Sequence, residues 1–211
     1  MIVHNIEQGS QEWHAIRYGK IGGSSLKELM VGKELKDSAI FAEILSAQFE
    51  PYQEEYQFKS DAMQHGNDLE PQARLFYELL NDVDVVQIGW AEMDNGIAGI
   101  SPDGLVVSNG AVEFKCPTRK QHTGYILDPE SLVKDYFWQI VQYFVVFDDI
   151  EWVDICSFRP ECSYKPFLDV RVNNDTEIKL TPKNTLKISE AVEQAKYKIN
   201  QLKTELEKWQ H

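Results

Sequence analysis

The sequence predicts a single α/β domain whose mixed β-sheet is flanked by helices, over residues 1–211. Three observations predict it. Helical periodicity dominates the first part of the chain, short strand-like runs fill the middle, and one strongly apolar helix separates two groups of strands. No Pro/Gly/Ser-rich linker divides the chain, and an apolar fraction of 43% is enough for a sizeable core.

The elements follow in order. The segment to Gly19 is polar, with aromatic anchors at Trp13 and Tyr18. Ser24 or Ser25 suits the cap of a short helix carrying Leu26, Leu29 and Met30. Asp37 or Ser38 opens a second helix with Ile40, Phe41, Ile44, Leu45 and Phe49 on one face, and Pro51 ends it. A polar stretch to Lys59 precedes a helix over 62–80, where Pro71 predicts a kink or a second start near Leu69. Strand-like runs come next at 83–90, 96–100, 104–107 and 111–115, then at 152–156 and 167–172. Residues 131–147 read as the apolar helix, and 117–135, with Arg119, Lys120, His122 and Lys134, as a connection that either touches DNA or, the favoured reading, is a solvated loop. From 184 to 210, Ile188, Val192, Ala195, Ile199, Leu202, Leu206 and Trp209 form a narrow seam. It fits a C-terminal helix packed on its own domain, with a contact between subunits as the alternative.

Composition excludes several classes. Asp+Glu exceed Lys+Arg by 34 to 21, a net charge of -13, which argues against coating nucleic acid over the whole surface but leaves room for a local basic groove. No apolar run suits a membrane helix, and the start lacks a signal-peptide pattern, so a cytoplasmic protein is expected. Cys116, Cys156 and Cys162 form no CxxC pair and read as free thiols rather than a zinc site, a disulfide frame or an iron–sulfur ligand set.

The chemistry concentrates in Ser101-Pro102-Asp103-Gly104 and Glu113-Phe114-Lys115. Glu113 and Lys115 share one face of a strand that also carries Val112 and Phe114. A two-residue turn at Asn109-Gly110 would turn Asp103 away from them. A three-residue loop, Ser108-Asn109-Gly110, pairs Val107 with Ala111 and puts Asp103, Glu113 and Lys115 on one face, with Gly110 left-handed; this loop is predicted. Two carboxylates beside a lysine suit a hard cation such as Mg²⁺ or Mn²⁺. By spacing alone, an ordinary charged surface hairpin fits equally well.

The longer pattern carries a resemblance. Pro102-Asp103 with Glu113-x-Lys115 is similar to the PD-(D/E)xK nuclease signature. The string from Gly99 to Leu105, with Glu113 to Pro117, resembles the phage lambda exonuclease and YqaJ-type viral recombinase family. Three more motifs stand in the family's order: Trp13-His14-x-x-Arg17-x-Gly19-x-Ile21-Gly22-Gly23-Ser24, then Gly66-Asn67-Asp68-Leu69-Glu70-Pro71-x-Ala73, and Gln139-Ile140-Val141-Gln142-Tyr143. Glycines stand where a relative has bulkier threonine and alanine in the first motif.

The resemblance implies a restriction-endonuclease-like sheet. It implies that Asp103, Glu113 and the Phe114 carbonyl bind metal, that Glu70 completes a second metal position, and that Lys115 is catalytic. Gln139 would approach the site, with Gln142 competing; Arg17, Ser24, Ser101 and Tyr143 would bind DNA and its 5′-phosphate. His65 is read as structural rather than as a ligand. The implied activity is a metal-dependent 5′→3′ exonuclease, using two Mg²⁺ or Mn²⁺ ions, that leaves a 3′ single strand on linear duplex DNA for recombination. A homotrimeric ring, a single-strand annealing partner and a phage or prophage origin in a bacterial host go with it. The alternatives are an endonuclease or a single-strand or RNA-active nuclease of the same fold, or a DNA-end-binding module with little turnover.

Overall fold

The computed structural model describes residues 1–31, 34–53, 61–107 and 109–209. In order these are β1 (Ile2–His4), α1 (Gln11–Arg17), α2 (Leu26–Val31), a 3₁₀ turn (Leu35–Asp37), α3 (Ala39–Phe49) and α4 (Asp61–Asn81). Then come β2 (Val85–Val86), β3 (Trp90–Glu92), β4 (Gly99–Ile100), β5 (Gly104–Val106), β6 (Gly110–Lys115), α5 (Arg119–Leu127), α6 (Pro129–Asp135) and α7 (Phe137–Val146). β7 (Trp152–Phe158), β8 (Phe167–Asn173), β9 (Glu177–Thr181), β10 (Asn184–Lys187) and α8 (Ile188–Glu207) complete the fold.

The main sheet has five strands in the order β2-β5-β6-β7-β8. β6 and β7 are parallel and the other pairs antiparallel. A parallel pair needs a long crossover, and α5, α6 and α7 supply it. A small sheet, β1-β3-β4, and the β9–β10 hairpin stand apart from it.

β6 is buried on both faces. Ala111 belongs to the larger core with α7, α8, α2 and α3, whereas Val112 and Phe114 pack on Ala73 and Tyr77 of α4. Glu113 therefore points from a buried central strand toward α7, where a charge must find partners.

Several sequence expectations need correction. The run at 83–90 is not one strand: β2 joins the main sheet and Trp90 opens β3 in the small one. α4 continues through Pro71 as one helix, with no second start at Leu69. Residues 117–135 fold into α5 and α6 rather than a loop. Thr118 caps α5 by accepting from the Gln121 N–H while Gln121 caps it in return. Residues 184–187 form β10, so the C-terminal helix begins at Ile188. Ile188, Ala191, Ala195, Ile199, Leu202 and Leu206 of α8 are buried in the larger core, while Trp209 remains 48% exposed. Phe49, assigned to the buried face of α3, is 60% exposed. Residues 54–60 and Ser108 lie outside the described residues, as do the side chains of Met63 and His65.

Candidate active site

The β5–β6 hairpin pairs Val106 with Gly110, Leu105 with Ala111 and Gly104 with Val112. The loop has three residues, as expected, but they are 107–109 rather than 108–110. Asn109 holds the left-handed position at φ 58°. Gly110 instead begins the strand, where a Cβ would come within 2.1 Å of the Trp152 ring. Packing, not backbone freedom, selects the glycine. The predicted register moves by two residues, so the parity survives and continuing it places Asp103 opposite Glu113.

Glu113 is 2% exposed and fully partnered. Its Oε1 accepts from Lys115 Nζ at 2.6 Å and from Gln139 Nε2 at 2.5 Å, and its Oε2 accepts from the Tyr143 hydroxyl at 2.5 Å. Lys115 Nζ also donates to Gln139 Oε1 at 2.9 Å and stands 4.4 Å from the centre of the Tyr136 ring. Burial disfavours the Lys115 charge, but Glu113 and Asp103 outweigh it and raise the ammonium above its ordinary value. α7 thus turns Gln139 toward β6. Gln142, its competitor in the sequence, is fully buried and donates to the Gly99 carbonyl at 3.0 Å.

Asp103 Oδ2 accepts from the Phe114 N–H at 2.7 Å. A strand residue's carbonyl lies on the same edge as its N–H, so the Phe114 carbonyl faces the Asp103 side. Burial, then the charges of Glu113 and Glu70, holds the Asp103 carboxyl well above the usual carboxylate range. Glu70, on α4, is raised by burial and by Glu113 against the pull of Arg74. Arg74 Nη2 donates to Glu70 at 2.6 Å and Arg74 Nε to the Asp103 carbonyl at 3.3 Å. The sequence reading missed this arginine, although its i+4 spacing from Glu70 signals the pair. The same acid cluster, after burial, pushes the Cys116 thiol up to about 12.

Among the described residues, no three His, Cys, Asp or Glu side chains stand arranged to hold an ion as they are. The donor chemistry nevertheless fits a hard divalent cation. Burial and the neighbouring carboxylate charges raise Asp103 and Glu70, a peptide carbonyl lies on the same edge, and a cation relieves that repulsion.

The Arg17 guanidinium lies 3.7 Å from the centre of the Trp13 ring and 5.5 Å from that of Trp90. It makes no ion pair among the described residues, its Nε is buried without a partner, and burial lowers its pKa to about 10. A Cβ on Gly22 would stand 3.7 Å from its Nη2. Trp13 is itself fixed: its indole N–H donates to Ser101 Oγ at 2.8 Å and to the Gly89 carbonyl at 3.0 Å. Ser101 is thus engaged by Trp13. Ser24 is exposed on the rim of a cleft that Gln139 also lines. The turn beside it is closed by Ser25, whose Oγ accepts from the Gly22 N–H at 2.9 Å. A Cβ on Gly23 would meet Gln139 Cγ at 3.3 Å. Tyr143, expected at the substrate, is completely buried, and its hydroxyl serves Glu113 instead.

Residues 12–148 match the family model of the YqaJ-like viral recombinase domain. The backbone is similar to that of an alkaline exonuclease (LHK-Exo) from Laribacter hongkongensis. The TM-score is 0.74 at 24% identity, over 94% of this chain and 93% of that one. LHK-Exo in complex with dAMP matches with TM-score 0.72 at 24% identity, over 95% and 96%. A phage related exonuclease from Haemophilus somnus 129PT matches with TM-score 0.58 at 18% identity, over 89% and 96%. No curated protein matches the sequence. At these identities the structural likeness establishes the shared mixed α/β fold.

Proposed function

The chain belongs to the YqaJ-like viral recombinase family, and from that premise we propose that it is a metal-dependent nuclease that degrades linear duplex DNA from its 5′ ends, leaving a 3′ single strand. The observation that carries this reading is the buried Glu113–Lys115–Gln139–Tyr143 network with Asp103 across the hairpin. Kinship with a structure solved in complex with dAMP supports a deoxynucleotide substrate.

Asp103, Glu113, the Phe114 carbonyl and Glu70 are the residues that would hold Mg²⁺ or Mn²⁺. Such an ion supplies Lewis-acid polarisation of a phosphoryl oxygen and acidifies water. Lys115 keeps its charge beside the carboxylates and offsets negative charge that develops on the phosphate. Gln139 locks Lys115 and Glu113 into one geometry, and Tyr143, held protonated by burial and by the Glu113 charge, fixes the far carboxylate oxygen. Tyr143 is thus a positioning residue rather than a DNA contact. Arg17, which has no carboxylate partner among the described residues, receives a terminal phosphate, and Ser24 and Ser101 add hydrogen bonds at the same end. A closed ring of identical subunits and a single-strand annealing partner complete the reading.

The test is release of mononucleotides from 5′-phosphorylated linear duplex in Mg²⁺. Lys115→Ala and Glu113→Gln are expected to lower the rate by about 10²-fold or more, and undiminished digestion by either overturns the site. Cutting of covalently closed circles identifies an endonuclease instead, and binding of ends without release identifies a passive end-binder.

A further inference from the structure

A cleft of about 870 Å³ adjoins the carboxylate cluster, bounded by α2, the start of α7, the β9–β10 hairpin and α8. Gln139 belongs to both cleft and cluster. Tyr136 stands between them, lining the cleft while its ring covers Lys115 Nζ at 4.4 Å. The cleft therefore meets the site at Gln139 and Tyr136.

Its charge is the reverse of the molecule's. Among the described residues that line it, the charged ones are Lys27, Lys134, Lys198 and Asp135, a net +2 on a chain of net charge -13. Lys198 donates to the Leu29 and Met30 carbonyls at 3.0 and 3.1 Å, which anchors its charge at the end of α2. Lys134 reaches Glu130 at 3.0 Å in a surface pair of the kind that contributes little and yields readily to a phosphate. Asp135 is engaged by the Tyr125 hydroxyl at 2.8 Å. Besides Tyr136, the cleft carries the rings of Trp138 and Tyr197. Tyr197 is 65% exposed, so the core does not require it, yet its hydroxyl is held by Gln201 at 2.9 Å.

We propose that this cleft binds a short single-stranded stretch of DNA continuous with the strand in the site. Lysines at the rim suit phosphates, and open aromatic faces suit unpaired bases, whose faces a duplex hides. This rests on the nuclease reading above, and the experiment separates the two.

Anisotropy of fluorescein-labelled oligodeoxythymidylate is measured on the full chain in chelator, beside an abasic oligomer of equal length. Tyr197→Ala is expected to weaken the thymidylate about tenfold and to spare the abasic probe. Lys27→Glu weakens both and lowers the salt slope by about one. Both side chains are exposed, so neither change threatens folding. Unchanged affinities overturn the proposal. So does a fall in oligomeric mass with DNA affinity intact, which makes the cleft a subunit interface. Hydrolysis of linear duplex in Mg²⁺ is followed in parallel. Hydrolysis without cleft-dependent binding overturns the cleft alone; cleft-dependent binding without hydrolysis by the unaltered protein overturns the nuclease reading alone.

Discussion

Among the described residues, Arg17 keeps its charge in an aromatic slot rather than in an ion pair. A pKa lowered to about 10 still leaves it protonated at neutral pH. Trp13→Ala is expected to weaken binding of 5′-phosphorylated ends by about 5- to 30-fold, the worth of a partly desolvated cation–π contact, and to leave 5′-hydroxyl ends nearly unaffected. Trp13→Phe, which keeps a ring but loses the bonds to Ser101 and Gly89, falls between; KM for the two end types reads this directly. Asp103 and Glu70 titrate above ordinary carboxylate values. Their protonation therefore stabilises the metal-free fold fully below those ordinary values, and this is lost as pH rises through the raised ones. Thermal melts should show stability falling over that window and Mg²⁺ restoring it; a melt that rises with pH through the same window contradicts the assignment. Glu113 and Lys115 were legible because their pattern stands with three further motifs in the family's order; their spacing alone fits an ordinary charged hairpin equally well. The choice of Gln139 over Gln142 was not, because it depends on how α7 is rotated in the core.

Between elements, two contacts fix the site's frame. Gly110→Ala pushes a methyl into the Trp152 ring. A loss of about 1–3 kcal/mol is expected from overpacking, with reduced turnover because the same hairpin carries Asp103 and Glu113. Denaturant unfolding measures the first and initial rates the second. On the same face of β7 as Trp152, buried Asp154 accepts from Tyr77 at 2.7 Å and from Arg171 twice at 2.8 Å, tying α4 to β7 and β8. In Asp154→Ala, Arg171 turns to water because its side chain is 54% exposed. The cost then comes mainly from the unpaired Tyr77 hydroxyl, about 1–3 kcal/mol, again read by denaturant unfolding. The hairpin's parity was legible from loop length, but its register was not, since that depends on Trp152, far along the chain. α5 was legible in principle from Thr118 and Gln121, a capping box with no clear apolar periodicity after it. β9 does alternate, with Ile178 and Leu180 between polar residues, but over only five residues the sequence reading passed over it, and β10 has no such alternation.

At the scale of the molecule, the fold class follows from the order of helical and strand-like runs, which local periodicity encodes. The distribution of charge does not, because composition carries no positions. Exposed Arg119 and Lys120 open α5, four and five residues beyond Lys115. Their replacement by glutamate is expected to lower the salt slope of duplex binding by about two, one for each lost phosphate contact. An unchanged slope places the DNA path elsewhere.

The parallel pairing of β6 with β7 has a consequence for synthesis. The strand bearing Glu113 and Lys115 has β5 on one edge and on the other β7, which ends at Phe158. An emerging chain that stops short of β7 has already made every proposed ligand, yet lacks the strand that closes the sheet around them. A ribosome-bound fragment ending at Leu127 should leave duplex DNA intact under conditions where the full chain digests it. The strand that completes the site is therefore among the later parts of the chain to be made.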